Sequence, residues 1–173
     1  MMASITSVIT AAKMIPESLR VTLQELRFEL EAVGTAWDEY VLFGSTPLIL
    51  RGVIDREPGD VDIFVTRRVW GALLARDGWS VETPKAGDPP ILVYIPEPGI
   101  GPAVNAFFDW TADKPHVRPE NCFASATLVE EGNEVWMCAS NEEILAHKEG
   151  ALAQKHINDI AAIKEANGDD TNR

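Results

Sequence analysis

The stretch from residue 41 to residue 65, VLFGSTPLILRGVIDREPGDVDIFV, constrains this chain more tightly than any other. A short apolar run stops at Gly44-Ser45, a helical turn over 46–50 tolerates Pro47 in its first turn, and Arg51-Gly52 follows. The loop 55–59 then closes on the turn signal Pro58-Gly59 and aims the chain into a strand over 60–65. Side chains two apart in a strand share a face and lie about 7 Å apart, so Asp60 and Asp62 face one way while Val61 and Ile63 face the other. Two like charges that close are unfavourable unless a cation lies between them. A divalent metal carrying a nucleoside triphosphate would serve. Gly44 allows close backbone approach, and the amides and hydroxyl at Gly44-Ser45 suit a phosphate.

Around this stretch the periodicities outline an α+β protein. Leu19, Leu23, Leu26, Leu30 and Val33 recur at spacings of four and three, a stripe that predicts a helix over 16–33, ended by Gly34. The strand before Gly44 is expected over 38–43. Thr66 is placed to cap a helix whose Val69, Trp70, Leu73 and Leu74 face inward as far as Gly78. Strands are expected over 79–83, 91–95 and 103–110. In the last of these Asn105, Phe107 and Asp109 share one face, and Val104, Ala106, Phe108 and Trp110 the other. Asp109 is a third carboxylate, near the end of an apolar strand where a charge needs exposure or a partner. Farther on, a hairpin pairs 126–129 with 135–138 around Glu131-Gly132-Asn133. Ser140 and Glu143 form a capping box for a helix carrying Ile144, Leu145, Ala151 and Leu152, with a weak point at Gly150. A last helix over 155–166 turns Ile157, Ile160 and Ala161 inward, and 168–173 forms a flexible tail.

With 173 residues, 46% of them hydrophobic, the chain is sized for one core. We expect a single domain over 1–167, with its nucleus at 36–112 and a C-terminal hairpin and helices at 120–167. The net charge of −12, from 27 acidic and 15 basic residues, weighs against broad, non-specific binding of nucleic acid. It leaves room for a local basic patch from Arg51, Arg56, Arg67 and Arg68. Cys122 and Cys138 form no CxxC and meet no histidine pair at zinc-finger spacing, as expected of reduced cytosolic thiols. Residues 1–16 lack the basic start and long apolar centre of a signal peptide, and no run of 18 apolar residues occurs. A cytoplasmic protein without membrane contact is expected.

Gly44-Ser45 and Asp60-Val61-Asp62-Ile63 match, residue by residue, an apolar strand, Gly-Gly or Gly-Ser, a short spacer, then Asp-apolar-Asp-apolar. In this the chain resembles the nucleotidyltransferase superfamily, with its DNA polymerase β-like fold. The spacer, with Arg51-Gly52 and Arg56, is most similar to the abortive-infection toxin branch and its minimal relatives. So is the helical pattern Glu143-Ile144-Leu145-Ala146-His147-Lys148 followed by Lys155-His156-Ile157-Asn158-Asp159-Ile160.

The resemblance implies a mixed β-sheet flanked by helices, with a C-terminal helical segment. It implies Asp60, Asp62 and Asp109 as the catalytic, metal-ligating triplet for Mg²⁺ or Mn²⁺, with Asp109 alternatively the base for the acceptor. Gly44, Ser45, Arg56 and Lys148 would hold the nucleoside triphosphate, while Lys155 and His156 would touch acceptor or phosphate. The acceptor is left open among tRNA, protein and an aminoglycoside-type small molecule, and an antitoxin is an implied partner. Two features depart from the branch. Gln154 is neutral where the branch often has arginine, and the chain leaves little room for a separate acceptor-binding domain. Plainer alternatives stand beside these roles. Lys148 could point into water, Lys155 and Asp159 could form a surface helix pair, Arg56 could make a loop salt bridge, and Asp109 could simply end a strand. A silent relative that only binds a nucleotide or a partner protein is the corresponding second hypothesis.

Overall fold

Alternating strands and an amphipathic helix must bury their apolar faces against one another, and here they do so on both sides of one sheet. The computed structural model describes residues 9–10, 14–83, 90–97, 99–108, 118–149 and 154–170. The strands are β1 (Ile9–Thr10), β2 (Tyr40–Phe43), β3 (Asp60–Val65), β4 (Trp79–Glu82), β5 (Ile91–Tyr94), β6 (Ala103–Phe107), β7 (Thr127–Glu131) and β8 (Glu134–Cys138). Between them run α1 (Glu17–Ala32), α2 (Thr46–Leu50), α3 (Arg67–Leu74), α4 (Pro119–Ala124), α5 (Asn141–Glu149) and α6 (Gln154–Asp170). The sheet order is β1-β7-β8-β2-β3-β6-β5-β4, and it is mixed: β3 is antiparallel to β2 and parallel to β6.

One face of the sheet packs on α1 and α3. Leu19, Leu23, Leu26 and Leu30, the stripe read from the sequence, are buried against Val61, Ile63, Val65, Val104 and Ala106, with Val69 and Leu73 completing the layer. Each such side chain contributes about 2 kcal/mol by leaving water. The other face carries Val41, Phe43, Phe64 and Phe107, covered by Cys122 of α4, Ile144 of α5 and Ile163 of α6. This second face is also the one on which Asp60 and Asp62 lie, because they alternate with Val61 and Ile63.

Several elements depart from expectation for local reasons. The strand predicted over 38–43 begins only at Tyr40, because Trp37–Glu39 form a 3₁₀ turn. There the Glu39 carboxylate accepts from the Ala36 amide and is bridged by Arg68. Leu74 ends α3 with its side chain 42% exposed rather than inward. Pro119 opens the short α4, proline at the first helical position being a start signal. β1 was likewise unexpected, and it adds to the edge of the sheet beside β7. In α6 the inward face is rotated: Ile157 and Ala161 are exposed, whereas Asp159 and Ile163 are buried. That helix continues through Gly168 to Asp170, where a tail was expected. Gly150, Ala151 and Leu152 lie outside the described residues.

The sheet is thinnest at its middle. β2 and β8 meet through one parallel Cα pair, Leu42 with Cys138, beside which the Ala139 amide donates to the Leu42 carbonyl at 2.8 Å. Arg51, at the end of α2, reaches across. Its guanidinium donates to Thr127 Oγ1 at 2.9 Å, to the Cys138 carbonyl at 3.3 Å and to Asn141 Oδ1 at 3.2 Å. Burial lowers the Arg51 pKa from its ordinary value, with the Cys138 thiol and the Glu142 carboxylate acting the other way.

Candidate functional site

Asp62 is the residue around which the site is built. In the antiparallel pairing it stands opposite Phe43, the last residue of β2, so the turn that follows falls directly beside its carboxylate. Gly44 takes φ +72°, and a Cβ added there would lie 2.9 Å from Asp62 Oδ2. Only glycine satisfies both conditions. Ser45 precedes α2 with its side chain making no cap hydrogen bond. Gly44 and Asp62 are thus brought into contact, with Ser45 next in the turn and Asp60 two residues before Asp62 on the same strand face.

On the other side of Asp62 lies Asn105 of β6, its partner in the parallel register. The Asn105 Nδ2 donates to Asp62 Oδ1 at 3.2 Å and to Asp60 Oδ2 at 3.4 Å. Sequence reasoning put Asn105 on the correct face but gave the role of third group to Asp109, which lies outside the described residues. Its signal was there to be read: a polar residue inside an apolar strand, on the face of the aspartates. Beyond the polar trio the same face turns aromatic. Phe43 and Phe64 stack with centroids 4.1 Å apart, and Phe107 packs edge-on to Phe43 at 5.6 Å. The carboxylates, both half-buried, therefore sit at the rim of an apolar floor.

The cations expected to grip a nucleotide are held elsewhere. Lys148 Nζ lies 2.8 Å from Asp159 Oδ2, with both side chains 2% exposed. Arg56, in the loop leading into β3, forks onto the same carboxylate, with Nη2 at 2.8 Å from Oδ2 and Nε at 3.3 Å from Oδ1. His156 Nδ1 is 3.3 Å from Lys148 Nζ. Burial alone would raise the Asp159 pKa; hydrogen bonds from Arg56 and Lys148 outweigh it and hold the carboxyl below its usual range. Lys148 thus does not point into water, and Arg56 makes the salt bridge that was the plainer reading of it. Asp159 takes Lys148 and Arg56 as partners, while the Lys155 side chain lies outside the described residues. The four arginines form no single patch. Arg51 and Arg56 turn to the C-terminal half, Arg68 pairs with Glu39, and Arg67 lies 5.8 Å from the Phe108 ring centroid.

Asp60, Asp62 and Asn105 offer carboxylate and amide oxygens, the hard donors that suit Mg²⁺ or Mn²⁺. The missing side chain at Gly44 lets the turn backbone come close to Asp62 Oδ2, the close approach that a phosphate-bound cation held by Asp62 would need. Among the described residues no group of three His, Cys, Asp or Glu side chains gathers at one place; the donors described are the two carboxylates and the neutral amide of Asn105. No described helix is long and apolar enough to cross a membrane.

The chain matches none of the known protein-family models and none of the curated proteins. Solved structures do resemble it. The lincosamide antibiotic adenylyltransferase LnuA, with lincomycin bound, aligns at TM-score 0.57 and 18% identity, over 88% of this chain and 98% of that one. ANT(2″)-Ia in complex with adenylyl-2″-tobramycin aligns at TM-score 0.56 and 18% identity, over 87% and 92%. An antigenic nucleotidyltransferase-like protein from Paracoccidioides brasiliensis aligns at TM-score 0.56 and 18% identity, over 88% and 78%. Likeness at this identity is a likeness of backbone. This chain, with a glycine turn set against paired aspartates on the central strand of a mixed sheet, has the nucleotidyltransferase fold.

Proposed function

We infer that the protein transfers a nucleoside monophosphate from a nucleoside triphosphate to an acceptor hydroxyl. The observation that carries this reading is the contact of Gly44 with Asp62, beside Asp60, in a fold shared with adenylyltransferases. In the reaction the acceptor oxygen attacks the α-phosphorus, the bond to the oxygen bridging to the β-phosphate breaks, and pyrophosphate leaves. The hydroxyl proton passes to a base, for which Asp109 is the candidate. Asp60 and Asp62 would hold Mg²⁺ or Mn²⁺, which neutralises triphosphate charge when bound. Gly44 gives the phosphates backbone access, and the Ser45 hydroxyl donates to them. Arg56, about a third exposed, is better placed to meet phosphate than the buried Lys148.

A small, cationic acceptor suits the net charge of −12, and two neighbours are solved with lincomycin and with adenylyl-2″-tobramycin. A tRNA or protein acceptor, with an antitoxin as partner, is the reading that follows from the helical pattern around Lys148 and Asp159. One observation favours a silent, nucleotide-binding protein instead: Asp159 takes up both Lys148 and Arg56.

The test is a transfer assay with each α-labelled triphosphate, Mg²⁺, and three acceptor pools: cellular RNA, cellular protein, and a panel of aminoglycosides and lincosamides. Label that moves with the wild-type chain but not with Asp60→Asn or Asp62→Asn supports the enzyme and names its acceptor class. If no label moves in any pool while triphosphate and Mg²⁺ together raise the Tm, the silent reading replaces it.

A further inference from the structure

The Asn105 side chain faces two carboxylates at once, at 3.2 and 3.4 Å. An ionised carboxylate only accepts hydrogen bonds, so the amide must turn its nitrogen toward Asp60 and Asp62 and its oxygen away. This contact offsets the repulsion between two like charges on one strand face. It is the wrong contact once a cation joins them, because an N–H dipole aimed at a cation is repelled. The amide nitrogen and oxygen are nearly equal in size, and the χ2 torsion that exchanges them is soft and roughly two-fold. Asp62 Oδ2 lies where a Cβ on Gly44 would come within 2.9 Å, so the carboxylate faces the glycine turn on one side and the Asn105 amide on the other.

We propose that Asn105 is a two-state ligand of the divalent cation at this site. With its nitrogen inward it holds Asp60 and Asp62 together, and with its oxygen inward it completes a three-oxygen donor set. This rests on the reading of Asp60 and Asp62 as the cation site. Two consequences follow from the chemistry of an amide. The third oxygen that Asn105 supplies is neutral, so it adds a ligand to the cation without adding charge. Asparagine also takes up no proton at neutral pH, so the acceptor's proton goes to another group.

The test is Mn²⁺ titrated alone into the full chain, followed calorimetrically and by the paramagnetic signal of free Mn²⁺, with Asp60→Asn, Asn105→Ala and Asn105→Asp alongside. Expected are loss of binding in Asp60→Asn, weakening of about tenfold or more in Asn105→Ala, and tighter binding in Asn105→Asp. In the ¹⁵N-labelled wild type the Asn105 side-chain NH₂ signals should shift on adding Mg²⁺, and should stay in place in Asp60→Asn. If Asn105→Ala fails to fold, Asn105→Asp and the NH₂ signals decide. Asn105 variants that bind Mn²⁺ like the wild type, or NH₂ signals unmoved by Mg²⁺ while Asp60→Asn abolishes binding, overturn the proposal and leave the cation site standing. Absence of wild-type binding, or binding unchanged in Asp60→Asn, removes the cation site and the proposal with it.

Discussion

Replacing Asp159 with asparagine isolates the charge that ties the loop before β3 to α5 and α6. The Lys148 and Asp159 side chains are each 2% exposed, and Arg56, 32% exposed, shares the carboxylate. Removing one member of a buried pair costs about 3–5 kcal/mol, because the remaining charge loses its compensation. Asparagine keeps the shape, and Arg56 can turn to water, so the lower end applies, about 3 kcal/mol. For a chain of this size that lowers the Tm by roughly 6–12 °C. Urea unfolding followed by the fluorescence of five tryptophans would measure it.

The pH dependence supplies a second check. Burial acts to raise the Asp159 pKa, but the hydrogen bonds from Arg56 and Lys148 prevail, so the folded value lies below the unfolded one. The stabilisation is then fully present above the unfolded pKa of about 3.9 and is lost as pH falls through the folded value. The gap between wild type and Asp159→Asn should stay level from pH 8 to about pH 5 and close in stronger acid. The paired change Lys148→Met with Asp159→Leu should recover most of the loss. A gap under about 0.5 kcal/mol, the range of ordinary surface changes, would refute the account, as would one that widens on acidification.

Gly44→Ala should destabilise by about 1–2 kcal/mol from its left-handed backbone alone, and the added Cβ, 2.9 Å from Asp62 Oδ2, should weaken Mn²⁺ binding in the same titration. The Arg68 guanidinium, with the Ala36 amide and the Thr66 hydroxyl, holds the Glu39 carboxyl down at about 2. Its ¹³C resonance should therefore titrate only near that pH, returning toward the usual range in Arg68→Ala. Burial pushes both thiols up to about 12, so Ellman's reagent at pH 8 should leave Cys122 and Cys138 untouched until urea is added, and then react with both.

What the sequence made legible were features whose signal is local. The leucines of α1 repeat at helical spacing and all lie in the core. Gly44-Ser45 and Asp60-Val61-Asp62 carry both the turn and the strand alternation that set the glycine against the carboxylate. What was missed depends on contacts distant in sequence. Periodicity assigned the inward face of α6 to its apolar residues, and the structure gives it to Asp159, whose partners lie 11 and 103 residues away. Asn105 was overlooked because an aspartate is a louder signal than an amide. Only the parallel register of β3 with β6 puts the amide next to Asp62. The short β1 carries too few residues for any period to emerge, and it exists because β7 offers it an edge.

The narrow junction between β2 and β8 divides the sheet into a three-strand and a five-strand portion, and the two portions contribute different things. Asp60, Asp62, Asn105 and Gly44 belong to the five-strand side, whereas α5 and α6 follow directly from β8. Arg51 works as the rivet between them, its three acceptors Thr127, Cys138 and Asn141 all lying across the junction. Amide exchange should record this as two cooperative units with different opening energies. In Arg51→Ala the amides of β7, β8 and α5 would exchange sooner while those of β3 and β6 kept their protection. The three-strand edge would open more readily, while the Arg56–Asp159 pair and the cover of Ile144 and Ile163 over Phe43 and Phe64 still hold the two portions together.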